Sequence, residues 1–172
     1  MNRLLFLPLI IVMLSCEDKQ ANDIPFANFS ELYINEILAS NNSTNTDEAN
    51  QYDDWLEIYN TGDESADIGG LFLTDDVGNL TKWMIPQGTE IQSQSFLLFW
   101  CDEDQPQGVL HTNFKLSADG EFIGFVASDG FTIIDSISFG IQTTDISFGR
   151  VPDGNTSWEV LPVPSPSSSN GN

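Results

Sequence analysis

The chain has 172 residues, of which 26 are Asp or Glu against five Lys or Arg, for a formal net charge of −21. So acidic a surface repels DNA, RNA and anionic lipid head groups, and is matched instead to divalent cations or a basic partner. With one His and two Cys in all, a zinc site built from several histidines and a disulfide-stapled scaffold are both excluded.

After Arg3 comes an unbroken apolar run, Leu4 to Leu14, of 11 residues. It is well short of the ~20 needed to span a bilayer and fits the apolar region of a secretory signal peptide. It ends in Met13-Leu14-Ser15-Cys16, which resembles the lipobox of bacterial lipoproteins, with Met13 where Leu is usual. That resemblance implies cleavage before Cys16, acylation of Cys16 and anchorage in a bacterial cell envelope, either periplasmic or at the cell surface. Buried acyl CH₂ groups contribute ~0.8 kcal/mol each, so two or more chains hold stably. Cleavage would remove Arg3 and no acid, taking the net charge from −21 to −22. Cys101 would then be the remaining thiol, without a partner for an intramolecular disulfide, and is expected to be a small buried residue. The expected organisation is a leader over 1–15, a lipidated Cys16 and tether over 16–30, one folded unit over 31–161, and a Pro/Ser-rich tail, extended or disordered, over 162–172.

Within the folded unit the first strand is read over Leu32–Leu38, followed by a long Asn/Ser/Thr-rich loop, Ser40–Gln51. A loop of that length in a compact unit is either a binding loop or a mobile one. Asp54 to Asn60 alternates, Leu56 and Ile58 to one side, Trp55, Glu57 and Tyr59 to the other, the period of a half-buried strand. Further short strands are expected at Ala66–Ile68, Gly70–Thr74, Lys82–Ile85 (stopped by Pro86) and Thr89–Ile91. Ser95–Cys101 is apolar on both faces, as in an interior strand covered on both sides. Thr112–Leu116, Glu121–Ala127 and Phe131–Ser138 are separated by turns at Asp119-Gly120 and Asp129-Gly130, the pattern of a meander. Ile146–Arg150 and Ser157–Val160 close the unit. About ten short strands without a convincing amphipathic helix predict an all-β antiparallel sandwich.

Several segments in order resemble the lamin tail domain in its bacterial form. They are Ile34-Asn35-Glu36-Ile37, Asp54-Trp55-Leu56-Glu57-Ile58-Tyr59-Asn60, Gly70-Leu71-Phe72-Leu73-Thr74-Asp75-Asp76, and Lys82-Trp83 with Ile85-Pro86-Gln87-Gly88. Then come His111-Thr112-Asn113-Phe114-Lys115-Leu116-Ser117, Ile137-Ser138-Phe139-Gly140, Asp145-Ile146-Ser147-Phe148-Gly149-Arg150 and Pro152-Asp153-Gly154. The resemblance implies an immunoglobulin-like sandwich and a non-catalytic module. It makes Glu36, Trp55, Glu57, Tyr59, Asn60, His111 and Arg150 structural motif residues.

The residues themselves offer little chemistry. A Ser-His-Asp arrangement would have to use His111, no glycine-rich phosphate loop precedes a helix, and no carboxylate pair is marked out for sugar hydrolysis. Glu36 and Glu57, inside strands, are expected to hydrogen bond to Asn35, Asn60 or nearby backbone. Acidic turns at strand ends can meet at one end of a sandwich, and Ca²⁺ takes carboxylate oxygens without a rigid motif. Asp75, Asp76, Asp102 and Asp104 are the expected Ca²⁺ set. Trp55, Tyr59, Trp83, Trp100 and Trp158 are the aromatics that could meet a sugar or a protein. The function expected is a membrane-anchored, non-catalytic module that binds a protein or glycan. The alternatives are a Ca²⁺-dependent binding module and an accessory to, or remnant of, a secreted hydrolase or nuclease. No cofactor beyond Ca²⁺ is implied, and nucleic acid is not an expected partner.

Overall fold

A 3₁₀ turn at Phe29–Glu31 leads into eleven strands: β1 (Leu32–Leu38), β2 (Trp55–Asn60), β3 (Ala66–Asp67), β4 (Phe72–Thr74), β5 (Trp83–Met84), β6 (Glu90–Ile91), β7 (Ser95–Trp100), β8 (Phe122–Val126), β9 (Ile133–Ser138), β10 (Ser147–Arg150) and β11 (Trp158–Leu161). This is a computed structural model that describes residues 29–171. The expected leader, Cys16 and nearly all of the tether lie outside the described residues. The strands make a five-stranded sheet in the order β11-β10-β1-β2-β7, a four-stranded sheet β5-β4-β8-β9 and a two-stranded ribbon β3-β6. All named strand pairs are antiparallel. The two larger sheets pack as the immunoglobulin-like sandwich, with Ile34, Leu56, Ile58 and Phe99 of one against Leu73, Ile123 and Phe125 of the other in one core.

The core face of β1 changes phase partway along. Ile34 pairs with Ile58, and Glu36 with Glu57, so β1 carries one extra residue at Asn35, a β-bulge. Leu32 and Ile34 face the core before it, and Ile37 and Ala39 after it. The opposite face of β1, β2 and β7 therefore stacks three rungs: Tyr33–Tyr59–Phe96, Glu36–Glu57–Leu98 and Leu38–Trp55–Trp100. The first holds a stacked Tyr59–Phe96 pair at 4.4 Å, and the third is a second apolar cluster.

Four sequence-based expectations change. β2 reads as half-buried, but Trp55 and Glu57 on its outer side are both 0% exposed, because the C-terminal segment and the 40–51 loop cover that face. The segment after Leu161 is accordingly not a loose tail: Ser165, Ser167 and Asn170 are hydrogen bonded into the sheet through residue 170. Ser95–Trp100 is an edge strand, not an interior one. Its apolar residues are partly covered by that C-terminal segment, a strap over residues 162–170, and by the 110–112 segment, which runs beside its end. Thr112–Leu116 makes a single isolated bridge, Lys115 to Asp102, because the Thr112 hydroxyl bonds the Phe114 carbonyl at 2.7 Å and curls the chain. Of the two Asp-Gly turns, Asp129-Gly130 joins the β8–β9 hairpin, with Gly130 at φ 77°.

Arg150 fastens the two sheets. Its Nε donates to the Ile34 carbonyl at 2.7 Å, beside the bulge. Its Nη2 donates to Asp135 Oδ1 and Oδ2 at 3.0 and 2.9 Å, across to β9 in the other sheet. The same Asp135 accepts the Ile34 amide at 2.8 Å, so both backbone groups of Ile34 are satisfied beside the bulge. The guanidinium also lies over the Trp158 and Tyr33 rings, at 4.9 and 5.4 Å. A planar fork is needed for this set, and an ammonium cannot reproduce it. Arg150→Met should lower unfolding stability by about 3–5 kcal/mol, as when a buried pair loses one partner, and Arg150→Lys should recover only part of the loss. Urea midpoints measured on the three proteins check this.

Candidate functional site

Two buried polar centres lie on the five-stranded sheet. The first is the middle rung of its outer face. Glu36 and Glu57 are cross-strand neighbours and both 0% exposed, an arrangement that like charges disfavour. The C-terminal strap supplies donors. Ser165 gives its amide and hydroxyl to Glu36, both at 3.0 Å, and Ser167 gives its amide to Glu57. Ser147 of β10 adds its hydroxyl to Glu36. Asn170 pins the strap's end, its Nδ2 reaching the Arg150 carbonyl at 2.9 Å and the Asn35 carbonyl at 3.2 Å. A Cβ on Gly149 would come within 2.6 Å of that Nδ2, so glycine there lets the strap sit down. Asp153 takes the Asn170 amide and the Asn35 side chain, at 3.0 and 2.9 Å. Burial above all, with Glu36 and Asp153 adding, pushes the Glu57 carboxyl up to about 8. Burial also raises Glu36, against the pull of its serine donors.

The second centre lies past the Trp55–Trp100 pair, at the end of the sheet. The 110–112 segment bridges to β7, Trp100 donating to the Leu110 carbonyl and Thr112 to the Trp100 carbonyl. That places His111, 1% exposed, with Nδ1 at 2.6 Å from Asp102 Oδ2. Glu48 Oε2 stands 3.4 Å from Nε2. Burial opposes protonation of His111, but the hydrogen bond and charge of Asp102, with Glu48 behind, outweigh it and raise its pKa. Asp47 comes in from the 40–51 loop, held by the Gln51 amide on Oδ1 at 2.7 Å. Beside them burial, then the charges of Asp102 and Asp47, push the Asp53 carboxyl up.

The expected Ca²⁺ carboxylates do not come together. Asp75 is paired with Lys82 at 2.6 Å. Asp76 closes its own turn on the Gly78 amide at 2.8 Å, and Asp104 bonds Gln107. Of the four, only Asp102 belongs to the one group of three or more metal-ligand residues among the described residues, with Asp47 and His111. Asp47 was missed. The signal for it was that Asp47 and Glu48 are the only ionisable residues of the Ser40–Gln51 loop. Glu36 and Glu57 draw their donors chiefly from the strap, with Asn35 a lesser side-chain partner of Glu57. Asn60 instead ties the β2 end to the carbonyls of Glu64, Ile91 and Gln92, at 2.8 to 3.1 Å. Trp55, Trp83 and Trp100 are buried and offer no platform to a sugar, whereas Phe131 is 73% exposed. Trp158 stacks on Phe148. Cys101 is buried as expected, and burial holds its thiol pKa high.

The family model described as Lamin Tail Domain matches residues 25–140. No curated protein and no solved structure matches the chain.

The Glu57 carboxyl generates a pH dependence of stability. Between its ordinary value of 4.5 and about 8, the folded chain keeps a proton that the unfolded chain has released. Stability from this group is therefore full at the acidic end of the window and declines as pH rises through it. Asp54, raised to about 6 by burial, acts in the same direction lower down. Urea unfolding should show the protein losing about 2–3 kcal/mol between pH 6 and 8, with Glu57→Gln removing most of that slope.

Proposed function

The chain belongs to the lamin tail domain family, and from that premise we propose that it is a lipid-anchored, non-catalytic display module of a bacterial cell envelope. The family supports a binding or scaffold role. Anchorage is carried by one observation, the Met13-Leu14-Ser15-Cys16 sequence at the end of the apolar run. In this reading Cys16 is acylated, the acidic segment that follows is the tether, and the sandwich is held out from the membrane for a protein or glycan to engage. The non-catalytic reading is supported by the state of the two side chains best suited to covalent or acid–base work. The single histidine is sealed and bonded to Asp102, and Cys101 is buried with a raised pKa, whereas a reactive thiol needs a depressed one and some exposure.

Exposed apolar side chains give a partner something to meet. Val160 on the β11 edge and Val163 on the strap are 66% and 81% exposed, beside a shallow recess lined by Pro162, Pro164 and Ser168. Phe131 and Ile133 stand exposed around the β8–β9 hairpin. In bacterial cells, the full-length chain should partition with membranes and incorporate a labelled fatty acid, and Cys16→Ser should abolish the label and release the protein. A wild-type chain that stays soluble and unlabelled would remove the anchor. Retention of a saturable partner from envelope extract, weakened by Val160→Asp with Val163→Asp, would place the binding surface.

A further inference from the structure

Past the Trp55–Trp100 pair, several buried polar atoms are short of hydrogen-bond partners. Asp47 is 6% exposed, and its Oδ2 is buried with no hydrogen-bond partner. The Nε2 atom of His111 has only the long contact to Glu48, and Asp53 Oδ2 nearby is buried without a partner. One ligand atom from each of Asp47, Asp102 and His111 lies within 4.8 Å of the other two. Each side chain is fixed from outside the group: Asp47 by the Gln51 amide, Asp102 by the Asp104 amide at 2.9 Å, His111 by the backbone bridge to β7. Buried carboxylates facing one another need a counter-charge. A proton on Nε2 would answer Glu48, 3.4 Å away, and leave Asp47 Oδ2 as it was. A divalent cation answers the whole group.

We propose that Asp47, Asp102 and His111 form a binding site for one divalent cation of the zinc class. An imidazole with carboxylates suits a borderline first-row ion, whereas Ca²⁺ takes oxygen ligands throughout. Donor atoms that share one ion at about 2.0–2.2 Å stand about 3–4.4 Å apart, so the ion would replace the proton shared by His111 Nδ1 and Asp102 at 2.6 Å, and the side chains would part slightly with no change of fold. Glu48, its side chain 57% exposed, stands 3.4 Å from the other ring nitrogen, Nε2, where it can accept that N–H and orient the ring, leaving water to complete the coordination. The ion would tie the 40–51 loop to the end of β7, which makes that loop part of the rigid surface offered to a partner. This site does not depend on the membrane anchor.

Zn²⁺ titrated into the full-length, chelator-treated protein should bind at one ion per chain. It should raise the melting temperature by about 5–10 °C at a hundredfold excess over Kd. Because His111 is the chain's only histidine, its ring signals in an NMR spectrum are unambiguous, and they should move with the bound fraction. Asp47→Asn, which can keep the Gln51 contact, should bind Zn²⁺ about tenfold more weakly or worse and should melt no lower than wild type without metal. Zinc that binds while the His111 ring signals stay still overturns the site, as does equal affinity in Asp47→Asn. No zinc binding at all, or a Ca²⁺ shift as large as the Zn²⁺ shift, overturns it too. The ring signals are read on the wild type, so the test stands even if the variant fails to fold.

Discussion

Two glutamates placed side by side in the middle of a sheet, away from water, constrain everything around them. Glu36 and Glu57 are paired across β1 and β2 and fully buried. Buried unpaired carboxylates are among the costliest groups a fold can carry. Here a residue cluster far along the chain supplies the donors: Ser165 lies 129 positions from Glu36, and Ser167 lies 110 from Glu57. The strap cannot be removed without stranding the pair, and the pair, with the Asn35 and Arg150 carbonyls that receive Asn170, gives the strap its fixed polar targets. The bulge at Asn35 belongs to the same arrangement. It turns Glu36 outward beneath the strap while keeping Ile37 in the core, and it frees the Ile34 backbone groups for Arg150 and Asp135.

That arrangement divides the molecule by task. The apolar core between the sheets holds the sandwich together, and Arg150 with Asp135 fixes one edge of it. The strap closes the outer face of the five-stranded sheet, which would otherwise expose the middle rung. The 40–51 loop closes the rest, with Trp55 Nε1 donating to Asn45 at 2.8 Å. What is left open is peripheral: the β8–β9 hairpin, the β11 edge and the rim of the strap. A sandwich offering such a periphery suits recognition, since loops and edges on a rigid scaffold are where binding surfaces are built.

Much of the strand framework was legible because it rests on local pattern. β1, β2, β8 and β9 alternate or are β-branched, and Asp129-Gly130 marks its hairpin by turn chemistry. What was not legible depends on distant partners. Nothing in Pro164-Ser165-Pro166-Ser167 announces that its amides and hydroxyl will be received by glutamates over a hundred residues earlier, so its composition reads as a tail. The edge position of β7 was hidden because Phe96, Leu97 and Leu98 are shielded by chain that is not strand. The acidic turns misled for a related reason. Asp75 and Asp76 look free in sequence, yet Lys82 lies seven residues on and takes Asp75 across the β4–β5 connection. Asp47 and His111 meet only because the 40–51 and 110–112 segments converge at the same end of the sheet.

Amide hydrogen exchange on the strap tests the central constraint most directly. If Ser165 and Ser167 close the carboxylate pair as an integral layer of the fold, their amides should exchange as slowly as those of β1 and β2 and open only with global unfolding. Strap amides exchanging at the rate of a free peptide, while β1 and β2 remain protected, would contradict it.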